Sequence, residues 1–164
     1  MARVLTITAN PLLNFLAQEP LQAGRVNRVA HLTPAAEGKG VNVARILAAH
    51  GHQVCAAVCA GGATGTLLAE VLATEDLPCD RYAPAATLRC GFMTTAPAGG
   101  KPTTLLANGF AVSGVEARAW CERLASLLPG QDLVIASGSV PDPNLDDCYR
   151  FLATACAERE IPFW

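Results

Sequence analysis

Apolar residues fall along the chain in two kinds of run that alternate. Residues 3–9, 54–60 and 133–136 are nearly continuous apolar stretches, as in strands buried on both faces. Residues 41–50, 66–73, 115–128 and 144–159 instead repeat at helical spacing. In the first of these Val41, Ala44, Leu47 and Ala48 share a face; in the last Leu145, Cys148, Tyr149, Leu152 and Cys156 do. Short strands are predicted at 79–82 and from 161 to the last residue, 164. Strand alternating with helix predicts an α/β domain with a mostly parallel sheet.

Turn residues punctuate this pattern. Asn10-Pro11 ends the first strand, Gly51 stops the first helix, and Pro129-Gly130 stops the third. Ser113 and Glu116 stand at capping-box distance, and Thr64 reads as the N-cap of the second helix. Two regions do not fit the alternation. Residues 12–17 and 25–32 are short apolar segments separated by Pro20 and Gly24, and Thr33-Pro34 closes them. Residues 88–96 and 103–107 flank a hairpin turn, Pro97-Ala98-Gly99-Gly100-Lys101. These regions, 12–32 and 88–107, are assigned to a small β lid lying off the main sheet.

Composition narrows the function classes. Of 164 residues, 51% are hydrophobic and 16% charged, so the chain is globular and long enough for one core. A net charge of −2 without a basic run argues against non-specific nucleic-acid binding. No apolar run reaches the roughly 18 residues of a membrane span, and the first eight residues read as a strand rather than a signal peptide. Seven cysteines, odd in number and without a Cys-x-x-Cys pair, read as small hydrophobes of a reduced, cytoplasmic protein. His50 and His52 lack a third ligand nearby and read as a solvated helix end rather than a metal site.

The candidate chemistry centres on Glu37-Gly38-Lys39-Gly40-Val41-Asn42-Val43-Ala44-Arg45. Its glycines let a ligand approach the backbone, and the following helix offers free N–H groups and the positive end of its dipole. Lys39 adds a positive charge. Gly61-Gly62-Ala63-Thr64-Gly65 is a strand-to-helix turn without the dinucleotide fingerprint, and no Walker P-loop is present. Ser137-Gly138-Ser139 follows a buried strand, at the end where open α/β sheets bind ligands.

Thr8-Ala9-Asn10-Pro11, the polar residue Asn14, residues 38–45, Ala60-Gly61-Gly62-Ala63-Thr64-Gly65, Arg89 and Ser137-Gly138-Ser139-Val140-Pro141 occur together and in this order. In this the chain resembles the PfkB (ribokinase-like) carbohydrate kinases, in particular the phosphofructokinase and tagatose-6-phosphate kinase branch. The resemblance implies a ribokinase-like three-layer α/β fold with a β lid. It implies ATP-dependent phosphorylation, with magnesium, of a ketohexose phosphate such as fructose 1-phosphate, fructose 6-phosphate or tagatose 6-phosphate. By that likeness Gly38 and Asn42 hold sugar hydroxyls with Lys39 beside them, Ser139 bonds the sugar, and Arg89 pairs with the substrate phosphate. Arg25 and Arg28, on the lid, assist. Self-association through the lid is also implied, and the final strand, with Phe163 and Trp164, independently predicts association at an exposed sheet edge.

The chain departs from that pattern in four places. Asn14 replaces an Asp that grips sugar hydroxyls, and Glu37 replaces the first glycine of the turn, where a carboxylate repels a nearby phosphate. Asp142-Pro143-Asn144 replaces a Pro-Gly pair. The Gly-Ala-Gly-Asp motif, which carries the catalytic base and the nucleotide site, is absent from these residues. No catalytic residue is therefore assigned, and the chain is expected to be inactive alone. Three readings follow: the sugar-binding half of a sugar-phosphate kinase, a non-catalytic sugar-phosphate-binding or partner protein, and an inactive fragment.

Overall fold

The computed structural model describes residues 1–94 and 102–164; the hairpin turn expected at residues 97–101 lies outside them. Eight strands and four helices follow one another among the described residues. The first sheet holds β1 (Arg3–Thr8), β4 (Gln53–Cys59), β5 (Cys79–Tyr82) and β8 (Leu133–Ala136) in the order β5-β4-β1-β8. All its pairs are parallel. This is the predicted mostly parallel sheet. β1 lies at its centre, and Leu5 and Ile7 are wholly buried there, as expected of a strand covered on both faces.

The second sheet contains β2 (Leu12–Ala17), β3 (Thr33–Glu37), β6 (Cys90–Thr94) and β7 (Thr103–Leu106) in the order β3-β2-β6-β7. A separate small sheet is present, but one of its strands is not where it was expected. Residues 25–32 form no strand, and Thr33-Pro34 opens β3 rather than closing the region. Asn27 explains the first difference. Its side chain bonds the backbone of Gln22 and Arg25 and holds that stretch in a turn. The sheet order explains the second: β3 is an edge strand, where a proline costs no ladder bond with a neighbour on its outer side.

The helices are α1 (Lys39–Ala49), α2 (Gly62–Thr74), α3 (Gly114–Leu127) and α4 (Cys148–Ala157). α1 packs on β1 and β4, and α2 packs on β2 and β3 as well as β5, so it ties the two sheets together. α3 is docked beside β5 by the Trp120–Tyr82 ring contact, with centroids 5.6 Å apart, and by the Arg123–Asp80 ion pair. Ser113 and Glu116 form the expected capping box.

Two local expectations fail because long-range contacts compete. Thr64 is not an N-cap: α2 begins at Gly62, capped by Gly61, and the Thr64 hydroxyl donates to the Leu88 carbonyl at 2.9 Å. The single helix expected over 144–159 is split into a 3-10 turn at Pro143–Leu145 and α4. Asp142 accepts from the backbone N–H of both Asn144 and Val112, so the turn is anchored to the loop before α3. Residues 161–164 pair with β8 through one parallel bridge, Val134 to Phe163, extending the sheet as expected.

Candidate active site

The ends of parallel strands and the start of α1 meet at one cavity. Thr8 closes β1, and Ser137-Gly138-Ser139 follows β8, its parallel neighbour. Gly38 is the N-cap of α1 and offers no side-chain cap, so the first-turn N–H groups remain available to a ligand. A β-carbon at Gly38 would lie 2.5 Å from Thr8 Cγ2, and one at Gly40 would lie 2.5 Å from the Ile7 carbonyl oxygen. Only glycine lets α1 start this close to β1. The second sheet supplies Leu12 and Glu37 to the opposite wall. The cavity holds about 290 Å³, near the lower end of the range for small-molecule sites.

Arg89 lines the cavity, just before β6. Its Nε donates to the Pro11 carbonyl at 3.1 Å and its Nη2 to the Asn10 carbonyl at 3.0 Å. Burial pushes its pKa down from the ordinary value. The guanidinium is fixed in one plane by the two bonds, with its remaining donors available for two oxygens of an anion.

Asn10 joins the two sides. Its Nδ2 donates to Ser139 Oγ at 3.1 Å and, more weakly, to the Val140 carbonyl at 3.4 Å. Its Oδ1 is buried without a hydrogen-bond partner among the described residues. Asn42, on the first turn of α1, accepts from Arg45 Nη1 at 2.9 Å through its Oδ1. This leaves its amide N–H₂ as the end to present to a ligand. Arg45 also bonds Glu75 and the Ala36 carbonyl, so one side chain braces α1 against β3 and the end of α2.

Of the residues singled out in the sequence, Gly38, Lys39, Asn42, Arg89 and Ser139 line this cavity together. Asn14 does not. It is buried on β2 and donates its Nδ2 to Glu37 Oε1 at 3.0 Å. Arg25 and Arg28 are exposed in the turn before β3 and do not line the cavity either. The sequence reading does not name Thr8, Asn10 or Leu12 as site residues, and within Ser137-Gly138-Ser139, which it places at a ligand-binding strand end, it gives a role to Ser139 alone. The signal for Asn10 is present, since it follows the last residue of a buried parallel strand. Glu37 enters that reading only as an obstacle.

The groups gathered here are two cations, a helix N-terminus, several hydroxyl and amide groups and one carboxylate. They suit a small polyol that carries an anionic group. No three His, Cys, Asp or Glu side chains converge among the described residues. No residue of this chain is assigned a role toward the magnesium and ATP that the resemblance implies. No helix among the described residues is long and apolar enough to cross a membrane.

Comparison with known proteins gives the family and the fold. The pfkB family carbohydrate kinase profile matches residues 10–164. The 1-phosphofructokinase of Bacillus subtilis (strain 168) is 29% identical over 157 residues, covering 95% of this chain and 50% of that protein. The tetrameric inhibited form of phosphofructokinase-2 from Escherichia coli matches with a TM-score of 0.86 at 26% identity, covering 99% of this chain and 54% of its own. The same enzyme in complex with fructose-6-phosphate matches with a TM-score of 0.80 at 26% identity, covering 99% and 53%. These structures show that the fold is ribokinase-like. The chain spans about half the length of the curated relatives it matches.

Proposed function

The chain belongs to the pfkB family of carbohydrate kinases, and from that premise we propose that its cavity binds a ketohexose phosphate for ATP-dependent phosphorylation. Fructose 6-phosphate, fructose 1-phosphate and tagatose 6-phosphate are the candidate substrates. The observation that carries this reading is Arg89, locked by the Asn10 and Pro11 carbonyls in the lining of a cavity rich in polar side chains. A fixed guanidinium pairs with phosphate oxygens through parallel N–H donors at little further ordering cost. Lys39 and the α1 N-terminus add favourable potential, and Asn42 and Ser139 hold sugar hydroxyls. Arg25 and Arg28 are left out of this assignment, because both lie in an exposed turn.

Carbohydrate kinases of this family use ATP, which supplies the transferred phosphoryl group. The residues of this chain bind and orient the acceptor sugar. Binding without transfer is the second reading. It rests on the cavity's described lining, where the one carboxylate, Glu37, is already engaged by Asn14.

We further propose that the chain self-associates through the second sheet. β7 is exposed along its whole length, and Leu105 and Leu106 are 62% and 57% exposed. Sedimentation as a monomer at micromolar concentration would contradict this.

The test of the main reading is calorimetric titration of the 164-residue chain with the three sugar phosphates, beside ADP release with ATP and magnesium. Saturable binding that weakens at least tenfold in Arg89→Lys supports the assignment, since an ammonium cannot bridge both carbonyls and still present a fork. Binding unaffected by that substitution removes Arg89 from the site. ADP release distinguishes transfer from binding alone.

A further inference from the structure

Glu37 is the one acidic residue among the described residues lining the cavity, and its placement is specified from behind. It ends β3, opposite Leu12 of β2. Its Oε1 accepts from Nδ2 of Asn14, a side chain that is 1% exposed and does not reach the cavity. Asn14 Oδ1 has no hydrogen-bond partner among the described residues, although it is buried. An amide so placed is oriented by a single contact. If it were flipped, its carbonyl oxygen would face a carboxylate oxygen. Gly91 packs against the same atom, since a β-carbon there would lie 2.9 Å from Asn14 Oδ1. Asn14 thus tolerates an orphaned acceptor in order to aim one carboxylate.

A carboxylate with one oxygen anchored presents its other oxygen as an acceptor. Sugar hydroxyls can donate to it, and a phosphate dianion cannot. Within one cavity, Arg89 attracts an anion and Glu37 repels one. An elongated ligand with a phosphate at one end and hydroxyls at the other then has one favourable direction of entry. The inference rests on the sugar-phosphate reading above and adds the element that selects the ligand.

We propose that Glu37, aimed by Asn14, is the hydroxyl acceptor that orients the ligand and restricts the site to phosphorylated polyols with free hydroxyls remote from the phosphate. Asn14 acts as a positioning residue and does not touch the ligand.

The test is calorimetric titration of the 164-residue chain and its variants with fructose 6-phosphate and, as the probe without a polyol, inorganic phosphate. Folding is checked by circular dichroism. Glu37→Gln keeps an oxygen for Asn14 but turns an amide N–H₂ toward the ligand. It should weaken fructose 6-phosphate at least tenfold and leave inorganic phosphate unchanged or tighter. Asn14→Asp supplies a readout that a merely structural role would not move. At low pH the new carboxyl and Glu37 share a proton, and the carboxyl O–H donates to Glu37 as the amide did. At higher pH both carboxylates ionise and repel. Relative to the unmodified chain, the variant should bind fructose 6-phosphate nearly normally at about pH 5.5 and much more weakly at about pH 8. Full fructose 6-phosphate affinity in Glu37→Gln, equal losses for both probes, or a constant Asn14→Asp to wild-type ratio across pH overturns the inference alone. If the unmodified chain binds inorganic phosphate but no sugar phosphate, the sugar-phosphate reading fails and takes this inference with it.

Discussion

Asn10 donates to Ser139 across 129 positions of sequence, at 3.1 Å. The bond joins the loop after β1 to the loop after β8. These strands are distant in the chain but parallel neighbours in the sheet. It also keeps the Asn10 carbonyl where Arg89 can donate to it. Removing either partner should therefore affect both stability and ligand binding. We expect Asn10→Ala to cost about 0.5–1.5 kcal/mol of stability, the usual net value of one hydrogen bond. A double-mutant cycle with Ser139→Ala should give a coupling energy of about 0.5 kcal/mol or more. Urea unfolding of the four proteins measures it, and strict additivity would mean that the bond contributes nothing in solution.

The close approach of α1 to β1 yields a paired expectation. Glycine within a helix ordinarily costs about 0.5–1 kcal/mol relative to alanine. At Gly40 the substitution should nevertheless destabilise. The new β-carbon would meet the Ile7 carbonyl oxygen and Thr8 Oγ1, each at 2.5 Å, and backbone cannot swing aside. At Gly114, on the first turn of α3, a β-carbon meets nothing within 4 Å. Gly114→Ala should therefore stabilise by about 0.4–1 kcal/mol. Thermal unfolding of both variants tests the contrast. A gain at both sites would mean that α1 is free to move away from β1.

These contrasts bear on what a sequence can reveal. Segments set by local physics are readable: Cys79–Tyr82 and Leu133–Ala136 are bounded to the residue, and the Ser113–Glu116 cap is evident from spacing alone. Segments set by a distant partner are not. Pro34 reads locally as a terminator, and only its place on an edge strand makes it tolerable. Thr64 reads as a cap until Leu88 takes its hydroxyl. The site is legible as separate motifs, but their convergence depends on the adjacency of β1 and β8. The Asn14–Glu37 pair is visible as two isolated departures and not as one contact, because the β2–β3 register that brings them together cannot be read from either residue.

The α3 cap makes stability depend on acid pH. Glu116 accepts from the Ala85 backbone N–H and from the hydroxyl and N–H of Ser113, and these bonds hold its pKa below the usual carboxylate value. A carboxyl with a depressed folded-state pKa contributes stability above its unfolded value and loses it as pH falls through the folded one. Glu116→Gln should thus lower the melting temperature at about pH 7. The gap from wild type should shrink as pH drops below the ordinary carboxylate range, because protonated Glu116 resembles the amide. A gap that stays constant with pH would mean that the ionised form has no advantage in the cap.

Thiol reactivity gives the last expectation. All seven cysteines are free. Burial pushes Cys59 and Cys79 up to about 12, which keeps both protonated at neutral pH. Cys121 on α3 differs. It lines one cleft with Cys148 of α4, and that neighbouring thiol holds the Cys121 pKa below the ordinary thiol value while the Cys148 pKa is pushed up. Cys121 is also only half-buried, whereas Cys148 is 2% exposed. Thiolate fraction and access together govern alkylation. At about pH 7.5 iodoacetamide should therefore modify Cys121 before the other thiols, as read by peptide mass spectrometry. Cys148→Ala removes the neighbouring thiol and should slow that reaction, with a smaller effect at about pH 9.5, where most exposed thiols are ionised regardless. An unchanged rate near neutral pH in a folded Cys148→Ala chain would show that access alone selects Cys121. Modification first at any other cysteine would show that the two helices do not hold the thiols together as described.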